Sequence, residues 1–342
     1  MSETLTDREW KVLEAVVQTY IETAEPAGSR TIARRFPLGV SAATIRNTMG
    51  DLEERGYLFH PHASAGRMPT DRAYRLYVDR LIWRRPVPGP EQEQLSRELR
   101  GDPGVIEGIL EKAAQVLGVL TQELGVAVAP SFDTAVLERL ELMQVASDRL
   151  LIVLVIRGGL ARTLFLEVAS HLPALALTSV TAVLNERLAG LTLREIRSSL
   201  RERLQDSAGG TPESELLNIF IEEADQVFEL PGAGQVMLSS PKMLAEQPEF
   251  HSNEQIRTLL ELTDRRDLLR DALRSRDQPG VTVTIGSEHA DPRLMPFTLV
   301  TASYRRGTLS GVIGVMGPTR MPYDKVLALV EHTSRMLEDL VS

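Results

Sequence analysis

The chain has 342 residues, 43% of them hydrophobic and 25% charged, with a formal net charge of −9. That length holds two or three domains with cores of their own. The absence of cysteine excludes disulfides, thiolate zinc sites and cysteine nucleophiles, and no uninterrupted apolar run is long enough to offer a membrane span.

Residues 1–10 show no charged-then-apolar signal, so the expected location is the cytoplasm, away from any membrane. Charge is unevenly spread. Residues 1–85 hold 13 Lys+Arg against 11 Asp+Glu, and the remaining 257 hold 25 against 36. All but one of the N-terminal bases are arginine, whose planar fork suits phosphate and guanine. A small reading head on an acidic body fits this asymmetry.

Thr6-Asp7-Arg8-Glu9 is a capping box opening a first helix. Leu13, Val16, Val17, Tyr20 and Ile21 continue its apolar face until Pro26 and Gly28 break it. Ser29 is the expected cap of a short second helix through Arg35, with Ile32 inward and Arg30, Arg34 and Arg35 outward. A turn over residues 36–40 leads to Ser41, the expected cap of a third helix ending at Gly56. Ile45, Met49 and Leu52 fall at i, i+4 and i+7, one buried stripe. Ala43, Arg46, Asn47 and Gly50 then face away from the core, with Thr44 at the flank. An Arg and an Asn among small residues match guanine, adenine and thymine edges in the major groove. Taken alone, this face reads equally as the solvated side of a three-helix unit.

Residues 57–60 read as a strand and 61–67 as a turn with Arg67 at its tip, the shape of a wing reaching phosphate or minor groove. Pro69-Thr70-Asp71 starts another helix with Tyr74, Tyr77, Val78 and Leu81 inward. Pro86, Pro88 and Pro90 mark a stiff spacer over 86–101. Helix, turn, helix and wing make residues 1–85 a winged helix-turn-helix domain.

In the body, residues 102–123 are helical in pattern, and 135–144, 150–157 and 162–167 read as strands. Residues 178–230 turn helical, Val236–Ser239 reads as a lone strand, and a long charged helix spans 253–277. Strands return at 281–286, 297–305 and 309–316 before a helix over 323–340. Strands interrupted by a helical block suggest an α+β multidomain chain, one α/β domain (102–175 and 252–342) holding an insertion (176–251).

Three stretches, EPAGSRTIARRF (25–36), SAATIRNTMGDLEERGYL (41–58) and HASAGRMPTDRAYRLYVD (62–79), resemble the N-terminal domain of the HrcA family of heat-inducible transcription repressors. Ala42, Thr48 and Gly50 depart from that family's usual proline, aspartate and alanine, and leave Arg46 and Asn47 untouched. The resemblance implies a GAF-like domain with an inserted, mainly helical dimerisation domain. It further implies an inverted-repeat operator upstream of chaperone operons as target, and a chaperonin that helps keep the repressor folded.

Gly311, Gly314 and Gly317 form a G-x-x-G-x-x-G run inside a strand, the wrong setting for a dinucleotide fingerprint. His60 and His62, and His289 with Asp291, lack a third ligand of metal spacing. Arg265-Arg266 beside Asp264 and Asp267 reads as a solvated helix face. No catalytic set, metal or cofactor is expected. The resulting reading is a homodimer on double-stranded DNA, two heads meeting two half-sites. Ala43, Thr44, Arg46 and Asn47 are the expected base readers. Ser29, Arg30, Thr31, Arg34, Arg35, Ser41 and Arg67 are the expected backbone or wing contacts. The competing reading is a metabolite-responsive regulator whose GAF-like domain binds a small effector.

Overall fold

The computed structural model describes residues 5–62, 65–81, 89–100, 106–130, 132–158, 160–168, 173–204, 212–228, 234–274, 280–306 and 309–341. Helices and sheets are mixed, and the chain divides into two compact units. One comprises Met1–Ala127, Val236–Ser303 and Val312–Leu337; the other comprises Val128–Gln235, Tyr304–Gly311 and Glu338–Ser342.

Helix α1 (Asp7–Thr23) starts on the expected capping box: the Thr6 hydroxyl accepts from the Glu9 amide, and the Glu9 carboxylate accepts from the Thr6 amide at 2.7 Å. Helix α2 (Ser29–Arg35) is capped by Gly28, with no side-chain cap bond. Ser29 is therefore the first helical residue, and it is buried, which corrects its expected capping role. Helix α3 (Ala42–Glu54) does cap on Ser41, whose Oγ accepts from the Thr44 amide at 3.1 Å. Its end is a paired closure: the Gly56 amide donates to Glu53 and the Tyr57 amide to Leu52, both at 2.9 Å. That closure needs a left-handed residue, and Gly56 sits at φ +74°.

Strands β1 (Leu58–Phe59) and β2 (Met68–Pro69) pair antiparallel, and an Ala27–Arg67 bridge ties the hairpin to the α1–α2 turn. A side chain on Gly66 would lie 2.5 Å from the Pro26 carbonyl oxygen, so the close approach demands glycine. Helix α4 (Asp71–Arg80) is capped by Thr70. The spacer expected over 86–101 is instead helical from residue 89, as α5 (Gly89–Arg100). Pro90 falls in the first turn, where a missing amide costs nothing; residues 82–88 and 101–105 lie outside the described part.

Helix α6 (Ile106–Thr121) leads into β3 (Leu124–Val128), a strand without alternation in its sequence because all five residues are buried. The antiparallel meander β4 (Leu137–Ala146), β5 (Arg149–Ile156), β6 (Leu160–Glu167) follows. Then come α7 (Ala174–Leu188), α8 (Leu193–Leu204), α9 (Pro212–Glu222) and α10 (Ala224–Phe228). One core joins Leu140, Ile152 and Leu154 of the meander to Leu184, Ile196 and Phe220 of the helices. Asn185 of α7 also hydrogen-bonds both backbone groups of Leu140, at 2.8 and 2.7 Å. The strands over 135–167 thus belong with the helical block, not with the later strands. By contacts, residues 128–235 group into one compact unit with Tyr304–Gly311 and Glu338–Ser342, whereas the helical pattern led to an expected insertion over 176–251. A three-stranded meander buries only one face, and α7–α10 supply the cover.

The meander's other face is open within its unit. Met143 pairs across to Leu151 and Leu151 to Phe165, with Met143 49% and Phe165 56% exposed. Arg149 and Glu167 stand opposite one another on the same face.

Strand β7 (Val236–Leu238) and helices α11 (Lys242–Ala245), α12 (Asn253–Asp264) and α13 (Arg266–Arg274) follow. The helix expected over 253–277 is therefore two, broken at Arg265, whose ψ of 69° leaves the helical range; residues 275–277 lie outside the described part. Strands β8 (Val281–Ile285), β9 (Phe297–Arg306) and β10 (Leu309–Pro318) complete a five-stranded sheet ordered β7-β3-β10-β9-β8, and α14 (Tyr323–Val341) ends the chain. The glycine run lies within β10. A side chain at Gly314 would meet the Val300 carbonyl at 2.3 Å, so these glycines serve strand packing.

Candidate nucleic-acid interface

Helix α3 has two unlike faces. Ile45, Met49 and Leu52 are fully buried against the head, while Ala43, Arg46 and Asn47 are exposed on the opposite side. Thr44 is half-buried, its Oγ1 3.0 Å from the exposed Ser41 Oγ. The 13-residue helix is about 20 Å long. Beside it, α2 exposes Arg30, Arg34 and Arg35, with Thr31 half-buried.

Most of the described arginines of the head are already engaged. Arg35 pairs with Glu22 and Arg55 with Glu9. Arg72 and Arg55 flank the Tyr57 ring at 4.5 and 5.8 Å, and Arg80 covers Trp10 at 4.3 Å. Among the described residues, Arg8, Arg30, Arg34 and Arg46 are the exposed arginines of the head with neither an acid nor a ring as partner. Three of these four lie on α2 and α3.

Arg67 does not stand at the hairpin tip. Its guanidinium folds back onto Glu53 of α3, with Nη2 and Nε 3.0 and 3.2 Å from Oε2, and only 15% of the side chain is exposed. His60 Nδ1 takes the other carboxylate oxygen at 2.6 Å. Glu53 thereby joins the residues flanking both hairpin strands to the end of α3. Burial pushes its carboxyl up, but the His60 hydrogen bond and the Arg67 charge outweigh that and hold it below its ordinary value. The sequence signal for this clamp was an acid in the last helical turn facing a basic hairpin. Which base it takes is set only by the fold.

Among the described residues, no three His, Cys, Asp or Glu side chains gather as a metal-ligand set, and no helix is long and apolar enough to cross a membrane. A cleft of about 660 Å³ lies between α13, β8 and the turns of residues 286–294, lined in part by Arg265, Asp271, Thr284, Glu288, Asp291 and Arg293. Much of its charge is internally matched: Arg293 holds Asp291 at 2.6 Å, and Glu288 is held by Arg75.

Residues 107–327 match the family model described as HrcA protein C terminal domain. The chain is 38% identical to the heat-inducible transcription repressor HrcA of Chlorobium phaeobacteroides (strain BS1), over 99% of each. It is 35% identical to the protein of the same name from Pelotomaculum thermopropionicum, over 98% of this chain and 97% of that one. A solved structure described as "Crystal structure of a hypothetical protein at 2.2 A resolution" matches over 99% of both chains with a TM-score of 0.66 and 25% identity.

Proposed function

The chain belongs to the HrcA family of heat-inducible transcription repressors, and we propose that it binds an inverted-repeat operator as a homodimer. The family is one of repressors, not enzymes. The observation that carries the proposal is α3: a buried Ile45-Met49-Leu52 stripe turns Arg46 and Asn47 outward, with unpaired Arg30 and Arg34 beside them. Three helices and a short hairpin support reading residues 1–85 as a winged helix-turn-helix. Base reading belongs to Ala43, Thr44, Arg46 and Asn47. Arg30, Thr31, Arg34, Arg35 and Ser41 take phosphates. Arg67 reaches DNA only by exchanging Glu53 for a phosphate, and buried Ser29 acts through its backbone position.

The five-stranded sheet with its helices is the GAF-like domain of this reading, and the unit over 128–235 is the inserted dimerisation domain. The open Met143–Leu151–Phe165 row supports that role, since an apolar sheet face gains by meeting its own two-fold copy. The regulated genes are chaperone operons, the cytoplasm is the setting, and a chaperonin sustains the folded repressor. Heat then lowers the folded dimer fraction and operator occupancy together. The test is footprinting of a chaperone-operon promoter with the full chain at fixed salt, at rising temperature, with and without chaperonin. A symmetric footprint that fades with heat and is restored by chaperonin is the expected result. Protection unchanged beyond heat-shock temperature, or no protection, refutes it. The cleft lined by Arg265 and Glu288 keeps the effector reading open to a thermal-shift screen of cellular metabolites.

A further inference from the structure

The head meets the sheet body through a set of polar contacts at α4 and at the end of α1. Asp71, the first residue of α4, accepts the Ser287 amide at 2.8 Å. One turn later Arg75 spreads its guanidinium over three partners. Its Nε donates to Glu288 Oε1 at 2.7 Å, its Nη2 to the other Glu288 oxygen and to the Val283 carbonyl at 2.7 Å, and its Nη1 to Asp79 at 3.3 Å. From the other side Arg320, whose side chain is only 11% exposed, donates to the Ile21 carbonyl at the end of α1 at 2.8 Å. Glu249 and Gln247 hold the remainder of its fork.

The fit is specific to backbone shape. Gly286 has φ +49°, and a side chain there would lie 2.2 Å from Asp71 Oδ2. A main-chain corner at 286–288 is therefore shaped to receive α4. Both arginines are multiply hydrogen-bonded to fixed acceptors, which resists rotation about the contact. Behind them the rings of Tyr74 and Tyr323 meet at 5.8 Å, both fully buried. None of these contacts covers the outer face of α3, where Ala43, Arg46 and Asn47 remain exposed. The contact leaves the reading surface free, so it orients the head without blocking it.

We propose that Asp71, Arg75 and Arg320 are positioning residues that clamp the head to the sheet body in one orientation, so that a dimer reads half-sites at one fixed separation. This rests on the operator-binding dimer proposed above. Two heads on rigid mounts behave as a preorganised pair: the second half-site is met at high effective concentration only when its spacing matches. Two heads on loosened mounts lose that advantage and also lose the discrimination.

The test uses the full chain and three duplexes built from the footprinted promoter. One has natural spacing, one has two base pairs inserted at the dyad, and one has a single half-site. The insertion shifts one half-site by roughly 7 Å and turns it by roughly 70°. Wild type should bind the inserted duplex at least about tenfold more weakly than the natural one. Arg75→Ala should bind the natural duplex about tenfold more weakly, with the insertion penalty cut to about twofold and half-site affinity within about twofold of wild type. The conservative Arg75→Lys, which keeps a charged donor facing Glu288 and the Val283 carbonyl, should retain most of the spacing preference that Arg75→Ala loses, which a loss of fold would not. An unchanged insertion penalty in Arg75→Ala overturns the proposal, as does an equal fall on the half-site or a rise in affinity for the natural duplex. If wild type itself gives no symmetric footprint, the operator-binding reading fails first, and the clamp with it.

Discussion

Arg46 stands exposed on α3 with no ion-pair partner among the described residues, so its fork is available to a base edge. Arg46→Ala should cost about 1–3 kcal/mol of operator affinity and relax preference at one base pair, read by binding to a panel of single-base operator variants. Arg34→Ala should weaken binding uniformly and reduce the salt slope of log K by about 0.9, with no change in melting temperature. An unchanged slope would take Arg34 off the phosphate backbone. Glu123 makes a prediction of another kind. It is 1% exposed, and burial pushes its carboxyl well above the ordinary range, with Arg320 pulling down and Glu249 pushing up. The unfolded chain therefore ionises this group at lower pH than the folded one. Its stabilising contribution is complete below the ordinary carboxylate pKa of about 4.3 and declines as pH rises toward the raised folded value. Glu123→Gln removes the ionisation, so its stability relative to wild type should rise as pH increases above about 4.3, in denaturant unfolding at constant salt. A pH-independent difference would show that the folded carboxyl titrates normally.

Among the elements, capping and periodicity made α1, α3 and α4 legible, because each helix carries its own start signal and a single apolar stripe. The hairpin is different. Its strands are only two residues long, and its position depends on Gly66 lying against the Pro26–Ala27 backbone, which precedes both α2 and α3 in the chain. Gly66→Ala forces that backbone to move and should destabilise the head by about 1–3 kcal/mol, measured by chemical unfolding, with the loss confined to a transition that also weakens DNA binding. Strand β3 is illegible for the opposite reason. Buried on both sides, it carries no alternation, and only Gln122 and Glu123 separate it from the end of α6. The break at Arg265 was hidden for a related reason: α12 and α13 each keep a helical pattern, and one residue of non-helical backbone leaves no mark in it.

Over the whole molecule, what matters most is which strands share a core. Strands β4–β6 close on α7–α10, whereas the later strands pair into the sheet with β3 and β7. The open face of β4–β6 is the surface that the proposed dimer would use. Under the proposed dimer, Phe165→Asp places a charge at one end of that row and should raise the dimer dissociation constant about tenfold to a hundredfold, read by sedimentation equilibrium, with the fold of the unit retained. An unchanged mass distribution would move the dimer contact elsewhere.

Residue order alone was enough for the helical head, for the outward placement of Ala43, Arg46 and Asn47, for the arginine enrichment of residues 1–85, and for family membership through contiguous motifs. These are local properties, fixed by residue spacing, caps and composition within a few turns of chain. Three further features needed the packed chain: Arg67 turning back onto Glu53, the grouping of residues 128–235 into one compact unit, and Arg75 and Arg320 holding the head to the sheet body. The side-chain pairings among them join groups 14 to 299 positions apart. Any arginine can satisfy any carboxylate or carbonyl in range, so the choice among partners falls to the packing that brings one of them within reach.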